Sequence, residues 1–276
     1  MKLFFAGAEN RTHAQILLEL KVPYLLMSYW NLRGKSDLLD YLVPFKRYGA
    51  EIMLDSGAHT LQKGGNKIDY EAFFREYITF LKKNKEFFTS FVELDIENQV
   101  GLKKVENWTE RIMDATGLQP IVVWHKERGF DYWIDMCKKY DYVGFSGFVG
   151  GTGKGEVPDK YVPLFLSVAK KYNAKVHGFG YTKPTMVKRY HFYSIDSSSW
   201  LSGCRWGGLD VFDHNTKTLR MNSKESFFKK FNKYNDLNNL NVDYWNATQW
   251  QQYQTYLKKY WENVEMYKNG KQTNQD

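Results

Sequence analysis

Three aspartates of this chain stand where short apolar runs end, a position from which a carboxylate can do chemistry. Asp55, Asp95 and Asp196 each close a run that is typical of a buried strand. Carboxylates that share a cavity cannot all ionise comfortably. One is therefore expected to have a raised pKa and act as an acid, while another stays charged as base or nucleophile. Retaining cleavage of a glycosidic bond needs this division of labour.

A single motif of this kind is weak, because Asp55-Ser56-Gly57 alone is typical of a tight turn or a helix cap. The pattern recurs, however: the fifth apolar run ends at His125, and the seventh carries His177-Gly178 near its end. If all the runs are strands of one sheet, the sequence predicts a shared set of polar residues at their ends.

Eight apolar runs predict eight strands, with helical patterns between them. The predicted strands cover 2–6, 23–28, 52–55, 90–96, 120–125, 141–147, 174–180 and 192–196. This alternation, with short connections, predicts a (β/α)8 TIM-type barrel. A doubly wound open sheet would alternate similarly, but it would gather only a few strand ends near its switch point. A barrel gathers all of them around one mouth.

The chain divides at about residue 204 by composition. Residues 1–204 are expected to form the catalytic barrel. Residues 205–276 are rich in Asn, Lys, Tyr and Trp, and the aromatic spacing after Tyr244 predicts a helical extension packed on the barrel. A basic-aromatic surface for nucleic acid is the alternative interpretation of the same residues.

Composition favours a polyanionic partner and a reducing compartment. The 276 residues carry a formal charge of +8, with 17% aromatic residues. Cys137 and Cys204 are the two cysteines, too few for a disulfide framework or a cysteine zinc site, so we expect a cytoplasmic protein. No apolar run reaches the roughly 20 residues that span a membrane, and we expect neither a membrane partner nor a cofactor.

Several short motifs together resemble the tRNA-guanine transglycosylase superfamily, whose members exchange guanine in a nucleic acid for a 7-deazaguanine through a covalent glycosyl-enzyme. No one of these motifs is specific, but their order and their placement on predicted strands match. They are Asp55-Ser56-Gly57-Ala58-His59, Leu94-Asp95, Ser146-Gly147-Phe148-Val149-Gly150, Gly178-Phe179-Gly180 and Ser194-Ile195-Asp196.

The resemblance implies a role for each carboxylate. Asp196 resembles the nucleophile that attacks the sugar C1′, and Asp55 resembles the acid/base that serves the leaving and incoming bases. Asp95 resembles the carboxylate that pairs with the polar edge of the heterocycle.

The resemblance also implies a base-binding set around these carboxylates. Gly147 and Phe148 match a glycine-apolar pair that offers backbone groups to the base, and His59 and His177 match positions that sandwich the ring. His125, or Trp124 beside it, stands where the family keeps a base-reading Gln. The full base-binding set is Asp95, His125, Gly147, Phe148, His59, His177, Gly178 and Ser56.

Departures from the family pattern indicate the substrate. The family's cysteine zinc cluster is absent, the chain is short, and Thr152 replaces a Glu near the base site. Together these resemble the often phage-encoded branch that modifies DNA, the DpdA family, which would act in a host cytoplasm. The missing acid also favours the neutral 7-cyano-7-deazaguanine over an aminomethyl base. Lys154, in a glycine-rich loop, is expected near the nucleic-acid backbone.

Three alternatives to a DNA transglycosylase remain at this point. A tRNA-guanine transglycosylase would use the same mechanism. A metal-dependent hydrolase on the same barrel could use His59, His125 and His177 as ligands, although no close-spaced ligand pair appears and we expect no metal. A barrel that binds nucleic acid without turnover is the third. The oligomeric state is open, with a homodimer among the options.

Overall fold

The structure is a computed structural model, and it describes residues 1–35, 37–63, 68–146, 157–181, 184–203, 208–223 and 241–272. Within these ranges the eight predicted strands are present and parallel. They are β1 (Lys2–Ala6), β2 (Tyr24–Ser28), β3 (Glu51–Asp55), β4 (Ser90–Phe91), β5 (Val122–Trp124), β6 (Tyr142–Ser146), β7 (Lys175–Phe179) and β8 (Ser194–Ser197).

The strand order confirms the predicted barrel. The sheet runs β4-β3-β2-β1-β8-β7-β6-β5, so each strand lies beside its sequence neighbour, and β1 pairs with β8. A parallel bridge between Val92 and Ile121 joins the two ends of that order. There the Glu93 amide donates to the Ile121 carbonyl at 3.0 Å, and the Ile121 amide donates to the Phe91 carbonyl at 2.7 Å.

The predicted helices follow the strands, with small shifts at their ends, and three short helices that were not predicted accompany them, at Tyr29–Leu32, Ala58–Lys63 and Glu97–Val100. The helices are α1 (Arg11–Glu19), α2 (Tyr29–Leu32), α3 (Leu38–Arg47), α4 (Ala58–Lys63), α5 (Tyr70–Asn84), α6 (Glu97–Val100), α7 (Leu102–Thr116), α8 (Gly129–Lys139), α9 (Val162–Lys171) and α10 (Pro184–Arg189). Asn10 and Asp69 cap α1 and α5 by accepting the amides of His13 and Ala72. These caps satisfy amides that the first helical turn leaves without partners.

Side-chain alternation along the strands separates two apolar layers. One set points into the barrel and forms a small interior cluster beneath the mouth, made of Phe4, Leu26, Met53, Val92, Ile121 and Val123. The other set points outward and joins the helices in the main core. Successive strand residues face opposite sides, so a residue two positions beyond an interior one also faces inward. Asp55 follows Met53 in this way, which brings its carboxylate to the mouth.

The C-terminal extension differs from the expectation, because it begins with strands. The antiparallel hairpin β9 (Gly208–Asp213) and β10 (Thr218–Ser223) precedes the long helix α11 (Val242–Gln272). The Asp213 carboxylate accepts the amides of Asn215 and Thr216 at 2.8 and 3.0 Å, and Lys217 takes a positive φ of 56°. This turn chemistry overrides the helical expectation for the first part of the extension.

Helix α11 completes the helical ring of the barrel. The Gln254 side chain accepts the amide of Leu3 in β1 at 2.6 Å. Gln251 donates to the Leu20 carbonyl after α1, and the Trp261 indole donates to the Val187 carbonyl in α10 at 3.0 Å. The helix therefore lies between α1 and α10, where the eighth helix of a barrel belongs. None of the described helices is both long enough and apolar enough to cross a membrane.

Replacing Leu257 by Ala should destabilise the whole barrel, because Leu257 is fully buried in the main core. The cavity and the forfeited transfer energy should lower the free energy of unfolding by about 2–5 kcal/mol in urea denaturation. Lys259→Ala, on the exposed side of the same helix, should change it by less than about 0.5 kcal/mol. Equal effects of the two substitutions would contradict the docking of α11.

Candidate active site at the barrel mouth

The carboxyl ends of the strands bring four polar side chains to one mouth. Asp55 ends β3, Asp196 lies in β8, Asp95 lies in the segment after β4, and His125 follows β5. The side chains of Asp95, His125 and Asp196 are 15–16% exposed, so each is mostly buried but still reached by solvent. Asp95 and Asp196 both act electrostatically on Asp55, as expected of groups facing one cavity.

The Asp55 carboxyl group is hard to ionise at this mouth. Burial raises its pKa to about 7, and the negative charges of Asp95, Asp196 and Glu9 add to the effect. A hydrogen bond from the Gly57 amide, at 2.9 Å, opposes the rise only in part. Near neutral pH this group can therefore both give and take a proton.

Gly57 is required for the turn that presents Asp55. Its φ is +83°, and a Cβ atom at this position would lie 2.5 Å from the Cβ of Trp30. A positive φ favours glycine, and the close approach of Trp30 leaves no room for a side chain. The turn after β3 is thus fixed against the segment after β2.

Asp196 is held by two donors on one oxygen. Its Oδ1 accepts the Gly180 amide at 2.8 Å and lies 3.3 Å from Nε2 of His177. These contacts hold the Oδ1 end of the carboxyl group in place. Because both contacts are made to Oδ1, the other oxygen, Oδ2, accepts from neither of these donors.

A buried polar column supports His177 from below. Its Nδ1 lies 2.6 Å from Oγ of Ser194, and that hydroxyl is hydrogen-bonded to the Tyr142 hydroxyl. One order of donors, from Tyr142 to Ser194 to His177 to Asp196, gives each of these hydrogen bonds one donor and one acceptor. His177 itself is 0% exposed.

This burial revises the expected stacking role of His177. Its ring is edge-on to Phe179, with centroids 4.3 Å apart, and is enclosed inside the barrel. No face of this ring is open to a flat ligand, because the interior packing covers it. The geometry instead makes His177 a residue that positions Asp196.

Asp95 and His125 form a pair on the opposite side of the mouth. Nε2 of His125 lies 3.0 Å from Oδ2 of Asp95. The Asp95 backbone carbonyl accepts the side-chain amide of Gln62 in α4 at 3.0 Å, which fixes the segment after β4. The pair combines an acceptor with a ring nitrogen, a combination suited to the polar edge of a heterocycle.

A buried ion network behind this pair was not predicted from the sequence. Arg128 donates from Nε to Glu97 at 2.7 Å and from Nη1 to Glu93 at 3.3 Å. Burial opposes ionisation of Glu97, but the hydrogen bond and charge of Arg128 outweigh it and lower the Glu97 pKa. Glu93 also accepts from Thr109 at 2.6 Å and from the Val123 amide at 2.9 Å. It links β4, β5 and α7 beneath the mouth.

The sequence feature from which this network could have been predicted is a charged residue inside an apolar strand. Glu93 interrupts the run from Phe91 to Leu94, and a buried carboxylate requires partners. Glu9 was also missed. It is buried in the segment after β1, accepts the Ser28 amide at 2.7 Å and adds its charge to the field at Asp55.

The remaining predicted residues have more local contacts. Ser56 is fully buried, and its Oγ accepts the Ala58 amide at 3.3 Å at the start of α4. A Cβ on Gly178 would lie 3.1 Å from Phe192 and Tyr181, so this glycine makes room for helix-side packing rather than for a base. His59 is exposed in the first turn of α4.

Two residues of the predicted base-binding set, Gly147 and Phe148, lie outside the described residues, as do the predicted backbone contact Lys154 and the substrate-related Thr152. Across the ranges that the structure does describe, no three His, Cys, Asp or Glu side chains are grouped to hold a metal ion.

Known proteins resemble this chain in fold alone, and neither a family model nor a curated protein matches it by sequence. A proposed fructose-1,6-bisphosphate aldolase from Coccidioides immitis gives a TM-score of 0.51 at 7% identity, over 94% of this chain and 88% of its own. A mutant tryptophan synthase α-subunit from Pyrococcus furiosus gives 0.47 at 15% identity, over 73% and 89% of the chains. The catalytic domain of a β-amylase from Paenibacillus polymyxa gives 0.42 at 9% identity, over 70% and 91%. The aldolase likeness agrees with the barrel seen here.

Replacing Asp55 by Asn should make the protein more stable at alkaline pH. The folded-state pKa of about 7 exceeds the ordinary value of 3.8, so wild type loses stability as pH rises from about 4 through 7. The Asn variant lacks this loss. Its advantage in free energy of unfolding should grow from near zero at about pH 4 to about 2–4 kcal/mol at about pH 8.

The matched control is Asp131→Asn, an exposed carboxylate on α8. Its stability should follow that of wild type across the same pH range. If Asp55→Asn also followed wild type in urea denaturation, the raised pKa of Asp55 would be refuted.

Proposed function

We propose that this protein is an enzyme that exchanges guanine in DNA for a 7-deazaguanine through a covalent aspartyl-glycosyl intermediate. The observation that carries the proposal is the unequal treatment of two mouth carboxylates. Asp196 accepts two hydrogen bonds on one oxygen, whereas burial and neighbouring charges raise the pKa of Asp55 to about 7. Covalent transfer of a glycosyl group needs one carboxylate of each kind.

In the first half-reaction Asp196 attacks the sugar. Both donors bind Oδ1, so Oδ2 is the oxygen that forms the bond to C1′. The C1′–N9 bond breaks, and the departing guanine takes a proton from Asp55. The products are a sugar ester on Asp196, free guanine and an ionised Asp55.

The second half-reaction reverses these roles. N9 of the incoming 7-deazaguanine attacks C1′, its proton passes to Asp55, and the Asp196 carboxylate is released. Asp55 therefore ends the cycle protonated, as it began, and no co-reactant is consumed. Because Asp55 must start protonated, formation of the sugar ester should slow as pH rises above about 7.

The Asp95–His125 pair supports recognition of a guanine-like base. Asp95 is joined to His125 through Oδ2, so Oδ1 is assigned to adjacent N–H donors on the polar edge of the base. A carboxylate that accepts such donors discriminates strongly against bases that lack them. The neutral 7-cyano-7-deazaguanine is the expected incoming base, on the ground of Thr152 in the sequence.

The target nucleotide must leave its stack to bring C1′ to a recessed carboxylate. Extrusion costs a few kcal/mol and is easiest at unpaired or flexible sites. The net charge of +8 supports a polyanionic partner. DNA is preferred over tRNA because the chain lacks the cysteine cluster of the tRNA-specific enzymes.

The proposal is tested by supplying labelled 7-cyano-7-deazaguanine with DNA and with tRNA in parallel. We expect label to enter DNA with wild type and to be absent with Asp196→Ala. Without an incoming base, wild type and not the variant should form a DNA adduct that survives denaturation. Label entering DNA through Asp196→Ala at the wild-type rate would refute the mechanism, and label entering tRNA alone would refute the choice of DNA.

Replacing His177 by Phe should slow ester formation while DNA affinity stays within about twofold, because His177 is buried and orients Asp196 without touching DNA. A misplaced nucleophile should cost about 10- to 100-fold in single-turnover rate. His177→Gln keeps an N–H donor and should recover part of the rate, which a packing defect alone would not explain. A wild-type rate for the Phe variant would contradict the positioning role.

A further inference from the structure

A groove on the outer side of the barrel lies beside the mouth. It encloses about 730 Å³ between the segment after β2, residues 29–35, and the outer face of α5. The segment after β2 is at the mouth, since it follows the carboxyl end of a strand. Helix α5 begins at the mouth and runs back along the barrel. The groove therefore leads from the mouth down the side of the protein.

The groove is lined by cations. Of the described residues along it, Arg33, Lys35, Arg75 and Lys83 are positive and Glu76 is the acid among them. Arg33, Arg75 and Lys83 are exposed. Arg75 and Lys83 are eight residues apart on one helix, which is about 12 Å along its axis. A spaced row of cations in a groove is suited to a chain of phosphates rather than to a single anion.

Apolar residues form the floor between these cations. Tyr29 and Leu32 are buried at the base of the groove, and Phe80 is partly buried beside them. A low-polarity floor weakens screening of the charges above it. It also offers apolar surface to sugars and bases, which a flat patch of lysines would lack.

The upper end of the groove is connected to Asp55 through direct packing. The guanidinium of Arg33 lies 3.6 Å from the centre of the Trp30 ring, and Trp30 packs against the Gly57 turn that presents Asp55. Lys35 donates to the backbone carbonyl of Glu9, whose carboxylate acts on Asp55. A DNA strand with one nucleotide bound in the mouth would thus contact Arg33 and Lys35 where the strand leaves the mouth.

We propose that this groove binds the single-stranded DNA segment that flanks the extruded nucleotide. The inference rests on the proposed function for its substrate, and it adds the path of the strand and the side of the barrel on which it leaves. Arg33 and Lys35 bind the phosphates nearest the mouth, and Arg75 and Lys83 bind those farther along. These cations meet the DNA backbone, so they act on any sequence.

The test measures binding separately from turnover. Fluorescence anisotropy of a labelled single-stranded oligodeoxynucleotide with one central guanine is followed with Asp196→Ala protein, which binds without exchange. Adding Arg75→Glu and Lys83→Glu should weaken binding at least about tenfold at low salt. The slope of log affinity against log salt should become shallower by about 1.4, because each phosphate that a cation neutralises on a single strand contributes about 0.7.

The matched control reverses Lys170 and Lys171, two exposed lysines at the end of α9. It makes the same change in net charge away from the groove and should weaken binding less than about threefold. Arg75→Gln with Lys83→Gln should weaken binding in the same direction by a smaller factor. Thermal unfolding of each variant checks that the fold is retained.

Equal weakening by the groove and control pairs, or an unchanged affinity for the groove pair, would overturn the proposal. So would groove-dependent binding of RNA of the same sequence without binding of DNA. The proposed function fails by a different result, the absence of base exchange by wild type. If DNA binding depended on the groove but wild type exchanged no base, the proposed enzymatic activity would be refuted. If base exchange occurred but DNA binding did not depend on the groove, the groove proposal alone would be refuted.

Discussion

The crowding of negative charge at the barrel mouth is the constraint on which this protein's chemistry depends. A (β/α)8 barrel turns the carboxyl ends of all its strands toward one opening, and three of those ends carry aspartates. Three carboxylates in a partly buried space cannot be equally charged. The surroundings differentiate them: donors hold Asp196, His125 pairs with Asp95, and Asp55 has a pKa of about 7.

The rest of the structure maintains that difference. Tyr142, Ser194 and His177 form a hydrogen-bonded chain that anchors Asp196 to the densely packed barrel interior. Behind Asp95, Glu93 and Arg128 join β4, β5 and α7 at the point where the strand order closes. Helix α11 completes the outer ring. Precise placement of a few oxygens therefore depends on packing and hydrogen bonds spread over most of the chain.

The sequence predicted the barrel and the mouth aspartates because both follow from strand periodicity. An inward-facing residue two positions after Met53 has to reach the mouth, so Asp55 could be found without a structure. The burial of His177 could not, since it depends on Phe179 and Ser194 in three dimensions. The partners of Glu93 could not be predicted either, because they come from segments that are distant in the sequence. The turn at Asp213 signals the hairpin after β8, but the helical spacing after Tyr244 was extended to the whole of 205–276.

The proposed chemistry depends most on the titration of Asp55 near neutral pH, which lets it give and take a proton beside Asp196. Carbon-13 NMR of protein labelled at the aspartate carboxyl carbons tests it directly, with the Asp55 signal assigned by its disappearance in Asp55→Asn. We expect this signal to titrate with a midpoint near 7. A midpoint near the ordinary value of about 4 would mean that Asp55 is charged at neutral pH, and it would contradict the assignment of Asp55 as the acid.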